Sequence, residues 1–218
     1  MEKKLRQKRA NVIKIVLFGP ESTGKTTLSN HLARHYNTVW VPEYAREYLQ
    51  NKWNNYRKTC ENSDLLPIAI GQIKLENELA KKTDKVLICD TDLLETKVYS
   101  EEYYGGFVDP VLDKAAIENK YDLYFLTYID TPWEADDLRD RPEQRLEMFN
   151  AFENALKKYK RPYILLKGDK ITRLKIAIEA IDKLLKDRND LDTFSDNLID
   201  LDLHFLHNSP DQTDFSIQ

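Results

Sequence analysis

Eight consecutive residues constrain this chain more than any others. Gly19-Pro20-Glu21-Ser22-Thr23-Gly24-Lys25-Thr26 satisfies G-x-x-x-x-G-K-[ST] at every fixed position. The apolar run Ile13–Phe18, broken only by Lys14, predicts a buried strand before it. Leu28, Leu32 and Tyr36, spaced by four, predict a helix over 25–36 after it. Glycines in such a strand–loop–helix junction let the backbone curl until successive N–H groups point inward. The helix N-terminus adds partial positive charge to that cradle. Lys25 is then placed to reach the β- and γ-phosphates of a nucleoside triphosphate. Thr26 is placed to offer its hydroxyl to Mg²⁺.

The rest of the chain alternates in the same way. Thr38–Val41 reads as a second strand, stopped by Pro42. Asp64 can cap a helix running from about residue 66 to 82. Lys85–Cys89, Leu123–Tyr128 and Tyr163–Leu166 read as further strands. Phe149, Phe152, Leu156 and Tyr159 fall at helical spacing, and 171–186 reads as a last helix. Strands alternating with helices predict an α/β fold: a three-layer P-loop architecture with a five-stranded parallel sheet and helices on both faces. The segment beyond is ambiguous. Leu191, Phe194, Leu198, Leu201 and Phe205 fit a helix, while Ile199, Leu201, Leu203 and Phe205 fit strand alternation.

Charge is unevenly distributed. The chain of 218 residues is the size of one domain and carries a net charge of −4. That balance argues against a protein that coats nucleic acid or an anionic membrane through bulk charge. Residues 1–11 hold +4, residues 189–218 hold −7 with no Lys or Arg, and the remainder holds −1. The expected organisation is a basic arm (1–11), a nucleotide-binding domain (12–187) and an acidic tail (188–218). Two scattered cysteines, Cys60 and Cys89, make neither a disulfide scaffold nor a zinc site. Nor does any apolar run reach the ~20 residues of a membrane span. Basic residues before Val12–Phe18 imitate a signal peptide, but Lys14 interrupts the run and no small-residue cleavage site follows. A cytoplasmic location is expected.

Several residues are candidates for the chemistry around the loop. Asp90 closes the apolar strand Lys85–Cys89, where a carboxylate can hold Mg²⁺ through water. Asp92 lies two residues on, either as an acceptor-side base or as the N-cap of a helix over 93–99. Ligands of open parallel sheets bind beyond the carboxyl ends of the strands. That places Glu43 near a transferred phosphate, able to take a proton from an attacking hydroxyl. Arg46 can hold phosphate or Glu43. Tyr44 offers a stacking surface, as does Trp40, though a core role suits Trp40 better. Gln72 can meet a polar ring substituent or face water. Arg139 and Arg141 lie in a charged segment that can fold over the γ-phosphate. Tyr103, Tyr104, Gly105 and Gly106 form either a lid edge or a turn.

Four elements together carry a resemblance: Pro20-Glu21-Ser22-Thr23-Gly24-Lys25, Glu43-Tyr44-Ala45-Arg46-Glu47, Asp90-Thr91-Asp92 and Trp133-Glu134-Ala135-Asp136-Asp137-Leu138-Arg139. In this order and spacing the chain resembles the ribosylnicotinamide kinase domain of the NadR family, over roughly residues 12–187. The resemblance implies transfer of the ATP γ-phosphate to the 5′-hydroxyl of nicotinamide riboside, a small nucleoside, giving nicotinamide mononucleotide. It also implies that Gly19–Thr27, including Thr27, contact ATP and that Asp90 serves Mg²⁺. Full-length bifunctional members carry an adenylyltransferase domain before the kinase. Eleven residues precede it here, so adenylyl transfer and a DNA-binding module are expected to be absent. Two alternatives remain: a P-loop kinase for another nucleoside or small metabolite, or an ATP-driven switch with a protein partner.

Overall fold

A computed structural model describes residues 2–139 and 141–207, with side chains through residue 190. Five strands form one parallel sheet: β1 (Ile13–Phe18), β2 (Trp40–Val41), β3 (Val86–Asp90), β4 (Leu123–Thr127) and β5 (Tyr163–Leu166). Their order is β2-β3-β1-β4-β5, with β1 at the centre. Ile15 lies opposite Ile88 on one side and Leu123 on the other. Every residue of β1 is buried, as expected of a strand covered on both faces.

Among the described residues seven α-helices connect and flank the strands: α1 (Lys25–His35), α2 (Tyr44–Tyr56), α3 (Asn62–Leu79), α4 (Leu93–Tyr103), α5 (Pro110–Glu118), α6 (Arg145–Lys158) and α7 (Lys170–His207). On one face Val16, Phe18, Leu87, Cys89, Tyr124 and Leu126 pack with Leu94 and Val98 of α4 and Met148, Phe149 and Phe152 of α6. Phe18 sits at the middle of this cluster, edge-on to Tyr124 at 5.5 Å and to Phe152 at 5.0 Å. Ile13, Ile15 and Leu17 point to the opposite face, against which α1 packs. Among the described residues no helix is long and apolar enough to cross a membrane.

Several expectations shift in detail. The third helix starts earlier, at Asn62, with Glu61 as its N-cap. Asp64 occupies the third helical position and closes a reciprocal capping box, accepting the Glu61 N–H at 2.7 Å. Asp64 also receives Lys52 and Tyr48 of α2, which ties the two helices together. Helix α5 carries no long apolar stripe and is set by local signals instead. Pro110 stands at its first turn, and Asp109 accepts the N–H groups of Val111 and Leu112. The basic arm is docked: Leu5 is 1% exposed and packs with Leu65, Ala69 and Ile73 of α3 and Leu112, Ala115 and Ala116 of α5.

Two compact units are distinguished, residues 1–179 and residues 180–218. In the second, the described backbone is helical through His207, so the helical spacing prevails over the strand alternation. Residues 208–218 lie outside the described residues.

Candidate active site

The phosphate-binding loop sits where β1 hands over to α1. Gly19 has φ 133°, and a Cβ there would lie 2.8 Å from the Thr127 hydroxyl and 3.0 Å from the Thr127 carbonyl oxygen. Only glycine fits that approach of β4. Gly24, at φ 84°, turns the chain into α1. The loop is held from behind by side chains that sequence reasoning did not single out. Arg173 of α7 is buried and donates to the carbonyl oxygens of Thr23, Tyr128 and Gly168 while pairing with Asp130. Thr127 shares a hydrogen bond with Thr23 at 2.7 Å. Arg145 reaches the carbonyl oxygens of Thr131 and Ser22. These contacts are separated by up to 150 residues in sequence, so no local pattern announces them.

Lys25 is 8% exposed and curls back over the loop. Its Nζ donates to Gly19 O at 2.6 Å and to Pro20 O at 3.0 Å, and lies 3.1 Å from Glu95 Oε1. Burial alone would lower its pKa. Glu95, Glu43 and Asp90 outweigh that, and the net shift is upward. Three carboxylates therefore act on one ammonium group, with Glu95 in contact.

Thr26 donates to Asp90 Oδ2 at 2.6 Å. The Asp90 carboxyl is fully buried, and its Oδ1 has no hydrogen-bond partner. Burial, reinforced by Glu43 and opposed by Lys25, pushes its pKa up to about 7. An orphaned buried carboxylate oxygen beside a threonine hydroxyl suits a hard cation such as Mg²⁺. Among the described residues no group of three or more His, Cys, Asp or Glu is arranged to hold a metal. The protein ligands would be Thr26 and Asp90, and nucleotide phosphates would supply further oxygens.

Thr91 follows with φ 73°, an uncommon conformation for a β-branched residue. Its N–H is bound by Leu17 O. This corner turns the chain from β3 into α4 within two residues and directs Glu95, at the third position of α4, back to the loop. Strained backbone of this kind concentrates at functional sites.

A cavity of about 160 Å³ opens beside these groups. Glu43, Ala45 and Leu49 border it from α2 and its cap, Leu65, Ile68 and Gln72 from α3, and Glu95, Thr96, Tyr99 and Tyr103 from α4. Glu21 of the loop, Thr91, Tyr104, Asp137 and Leu138 also line it. Glu43 is the N-cap of α2 but makes no capping hydrogen bond. A larger cleft of about 720 Å³ lies under the N-terminal arm and includes none of the loop residues.

The structure redistributes several expected roles. Asp92 is not at the cavity. It is 1% exposed, caps α4 by accepting Glu95 N–H at 3.1 Å, and accepts the Tyr124 hydroxyl at 2.7 Å. A proton acceptor for substrate must be reachable, so the capping reading replaces the base reading. Tyr44 does not line the cavity either. Its ring lies against Gly71 of α3, where a Cβ would be 2.1 Å from Tyr44 Cε1. Gln72 borders the cavity, but its amide oxygen accepts Tyr44 N–H at 2.7 Å and its amide nitrogen faces Pro42 O at 3.4 Å. It therefore fixes the start of α2, and with it Glu43. Arg46 pairs with Asp136 at 2.8 Å rather than with Glu43. Arg139 binds the same Asp136 at 3.1 Å and donates to Glu134 O. Arg141 stacks over the Tyr103 ring at 3.5 Å and donates to Gln144. The segment carrying both arginines is pinned to the tip of the loop: Thr131 donates to Ser22 O, and Ser22 Oγ accepts Glu134 N–H.

A phosphate loop at the carboxyl end of the central strand of a five-stranded parallel sheet, with a carboxylate at the end of the neighbouring strand, defines a P-loop nucleotide-binding protein. Residues 14–173 match the family described as the AAA domain, and the chain belongs to that family. It is 34% identical over 128 residues to the trifunctional NAD biosynthesis/regulator protein NadR of Salmonella typhimurium, and equally to that of Escherichia coli. Each alignment covers 57% of this chain and 30% of the relative, so the chain spans under a third of the length of these curated relatives. Among solved structures, a NadR protein in complex with NR superposes with a TM-score of 0.68 at 23% identity. That match covers 81% of this chain and 52% of the other. A deoxyadenosine kinase from M. mycoides superposes at 0.59 with 18% identity, covering 78% of this chain and all of the other. The fold is that of P-loop kinases.

Proposed function

We propose that the protein is an ATP-dependent nicotinamide riboside kinase, acting in NAD biosynthesis or salvage. The acceptor cavity carries this reading. Among the described residues it is lined by four carboxylates (Glu21, Glu43, Glu95 and Asp137) and three tyrosines, and by no Lys, Arg or His. An anionic acceptor is repelled by such a wall. A flat aromatic cation gains both from the carboxylates and from the tyrosine faces. The pyridinium ring of nicotinamide riboside has that chemistry. Identity over 128 residues to NadR proteins named for NAD biosynthesis, and a fold shared with a NadR protein in complex with NR, support this acceptor.

Gly19–Thr27 would wrap the triphosphate with backbone N–H groups, and Lys25 would carry the charge of the transferred phosphoryl group. Glu43, at the cavity and without a capping bond, takes the proton of the ribose 5′-hydroxyl. The oxygen attacks the γ-phosphorus, the bond to the β-phosphate oxygen breaks, and ADP and nicotinamide mononucleotide leave. Thr26 and Asp90 would hold Mg²⁺, which would supply positive charge against the nucleotide phosphates. Arg139 and Arg141, on a segment pinned to Ser22, would close over the reacting phosphate and exclude water. Residues 12–187 form the kinase domain in this reading, with 1–11 and 188–218 as appended segments in a cytoplasmic protein. The test is ADP release across a nicotinamide riboside titration. Saturable, acceptor-dependent release supports the proposal. Release dependent on another nucleoside, or release independent of any acceptor, overturns it.

A further inference from the structure

Glu95 is not among the residues that the sequence motifs select, yet it makes the closest ionic contact of the loop lysine. It is 2% exposed. One carboxylate oxygen lies 3.1 Å from Lys25 Nζ, and the other accepts the Gly19 N–H at 3.3 Å. The oxygen facing Lys25 has no other hydrogen-bond partner. The same side chain borders the acceptor cavity beside Glu43, Thr91 and Thr96. Glu95 thus stands between two compartments, with its charge committed to the nucleotide side.

We propose that Glu95 is a displaceable stand-in for nucleotide phosphate, and that nucleotide binding releases its carboxylate to the acceptor cavity. A triphosphate entering the loop needs the Lys25 ammonium group, and that group has one charge to share. Lys25 already gives two hydrogen bonds to Gly19 O and Pro20 O, so the contact open to exchange is the ion pair. When the phosphate takes Lys25, Glu95 is left as a buried carboxylate without its counter-ion. Burial pushes the Glu95 carboxyl well up against the pull of Lys25, so without that counter-ion it either takes a proton or meets a new cation. The cavity on its other side is where a cationic acceptor would supply one. Glu95 is then a positioning residue that couples the two substrates: nucleotide first, acceptor tighter afterwards. By reciprocity the acceptor also tightens the nucleotide.

The inference rests on the proposed reading of the loop as a nucleoside triphosphate site and of the cavity as the seat of a cationic acceptor. Its test is calorimetric binding of a non-hydrolysable ATP analogue with Mg²⁺ to wild type and to Glu95→Gln, without acceptor. Removing the competing carboxylate should tighten analogue binding by roughly tenfold, at the lower end of what close charge pairs exchange. A role confined to holding the fold together would weaken binding instead. In a second titration, nicotinamide riboside should bind wild type more tightly in the presence of the analogue, and Glu95→Gln should lose that enhancement. Glu95→Asp keeps the charge but shortens its reach, and should fall between the two in analogue affinity. It carries the test if the glutamine variant does not fold. Unchanged or weaker analogue binding by the variants overturns the proposal, as does an acceptor enhancement equal in wild type and variant. Failure of wild type to bind the analogue would instead refute the kinase reading itself.

Discussion

Replacing Gly71 by alanine adds one methyl group where α3 passes the start of α2. That methyl would lie 2.1 Å from Tyr44 Cε1 and 2.4 Å from Cδ1 and Cζ. Carbon atoms rest at about 3.5–4.0 Å, so the ring must retreat by roughly 1.5 Å. Tyr44 is the first residue of α2, and its N–H is bound to Gln72, next to Gly71 in sequence. The ring cannot retreat without moving that hydrogen bond, and Glu43 moves with it. Overpacking typically costs about 1–3 kcal/mol, and three ring carbons in conflict put this site near ~3 kcal/mol. Alanine regains about 1 kcal/mol of helix propensity over glycine. The net destabilisation should be about 2 kcal/mol, read as a fall in urea midpoint at unchanged m-value. With Glu43 as the proposed base, its displacement by about 1 Å can cost ~10²-fold in turnover, so kcat should fall well beyond the loss of folded protein. In a Tyr44→Ala background the conflict is gone, and Gly71→Ala should become neutral or stabilising. Equal costs of Gly71→Ala in the two backgrounds would refute the argument.

Three further outcomes are expected. Glu43→Gln should lower kcat by roughly 10²–10⁴-fold, the usual contribution of a general base, while ATP affinity measured by calorimetry stays near wild type. Asp92→Asn keeps one oxygen to accept the Glu95 N–H of the α4 cap and turns its amide N–H to the Tyr124 hydroxyl oxygen, which can accept it, so the folded variant should turn over near the wild-type rate; a folded but inactive variant would return Asp92 to acceptor chemistry. Leu5→Ala should destabilise by about 2–5 kcal/mol in denaturant melts, because the arm contributes a buried core residue.

The parts of this molecule that can be read along the chain are those whose causes are local. The phosphate loop, the strands on either side of the sheet centre and Asp90 at the end of β3 follow from one motif and a few apolar runs. Asp92 shows where local reading stops. An aspartate two residues past a strand suits a base or a cap equally well, and the choice was made by Tyr124, 32 residues away on β4. Gln72 and Tyr44 look like substrate contacts until α2 and α3 are brought together around Gly71. Arg46 looks like a partner for Glu43 until Asp136 arrives from 90 residues further on. Glu95 carried only a weak signal: an acidic residue in the first turn of a helix is ordinary. What makes it unusual is the positive φ at Thr91, which aims it at Lys25, and no motif encodes that turn.

The central claim is transfer of phosphate from ATP to a cationic nucleoside in an acidic, tyrosine-lined cavity. The most direct measurement follows ADP and phosphorylated nucleoside together while nicotinamide riboside is varied at saturating ATP and Mg²⁺. The account predicts equal amounts of ADP and nicotinamide mononucleotide, saturating with nicotinamide riboside and lost in Lys25→Ala. ADP formed without nicotinamide mononucleotide, or turnover on neutral nucleosides but not on nicotinamide riboside, would contradict it.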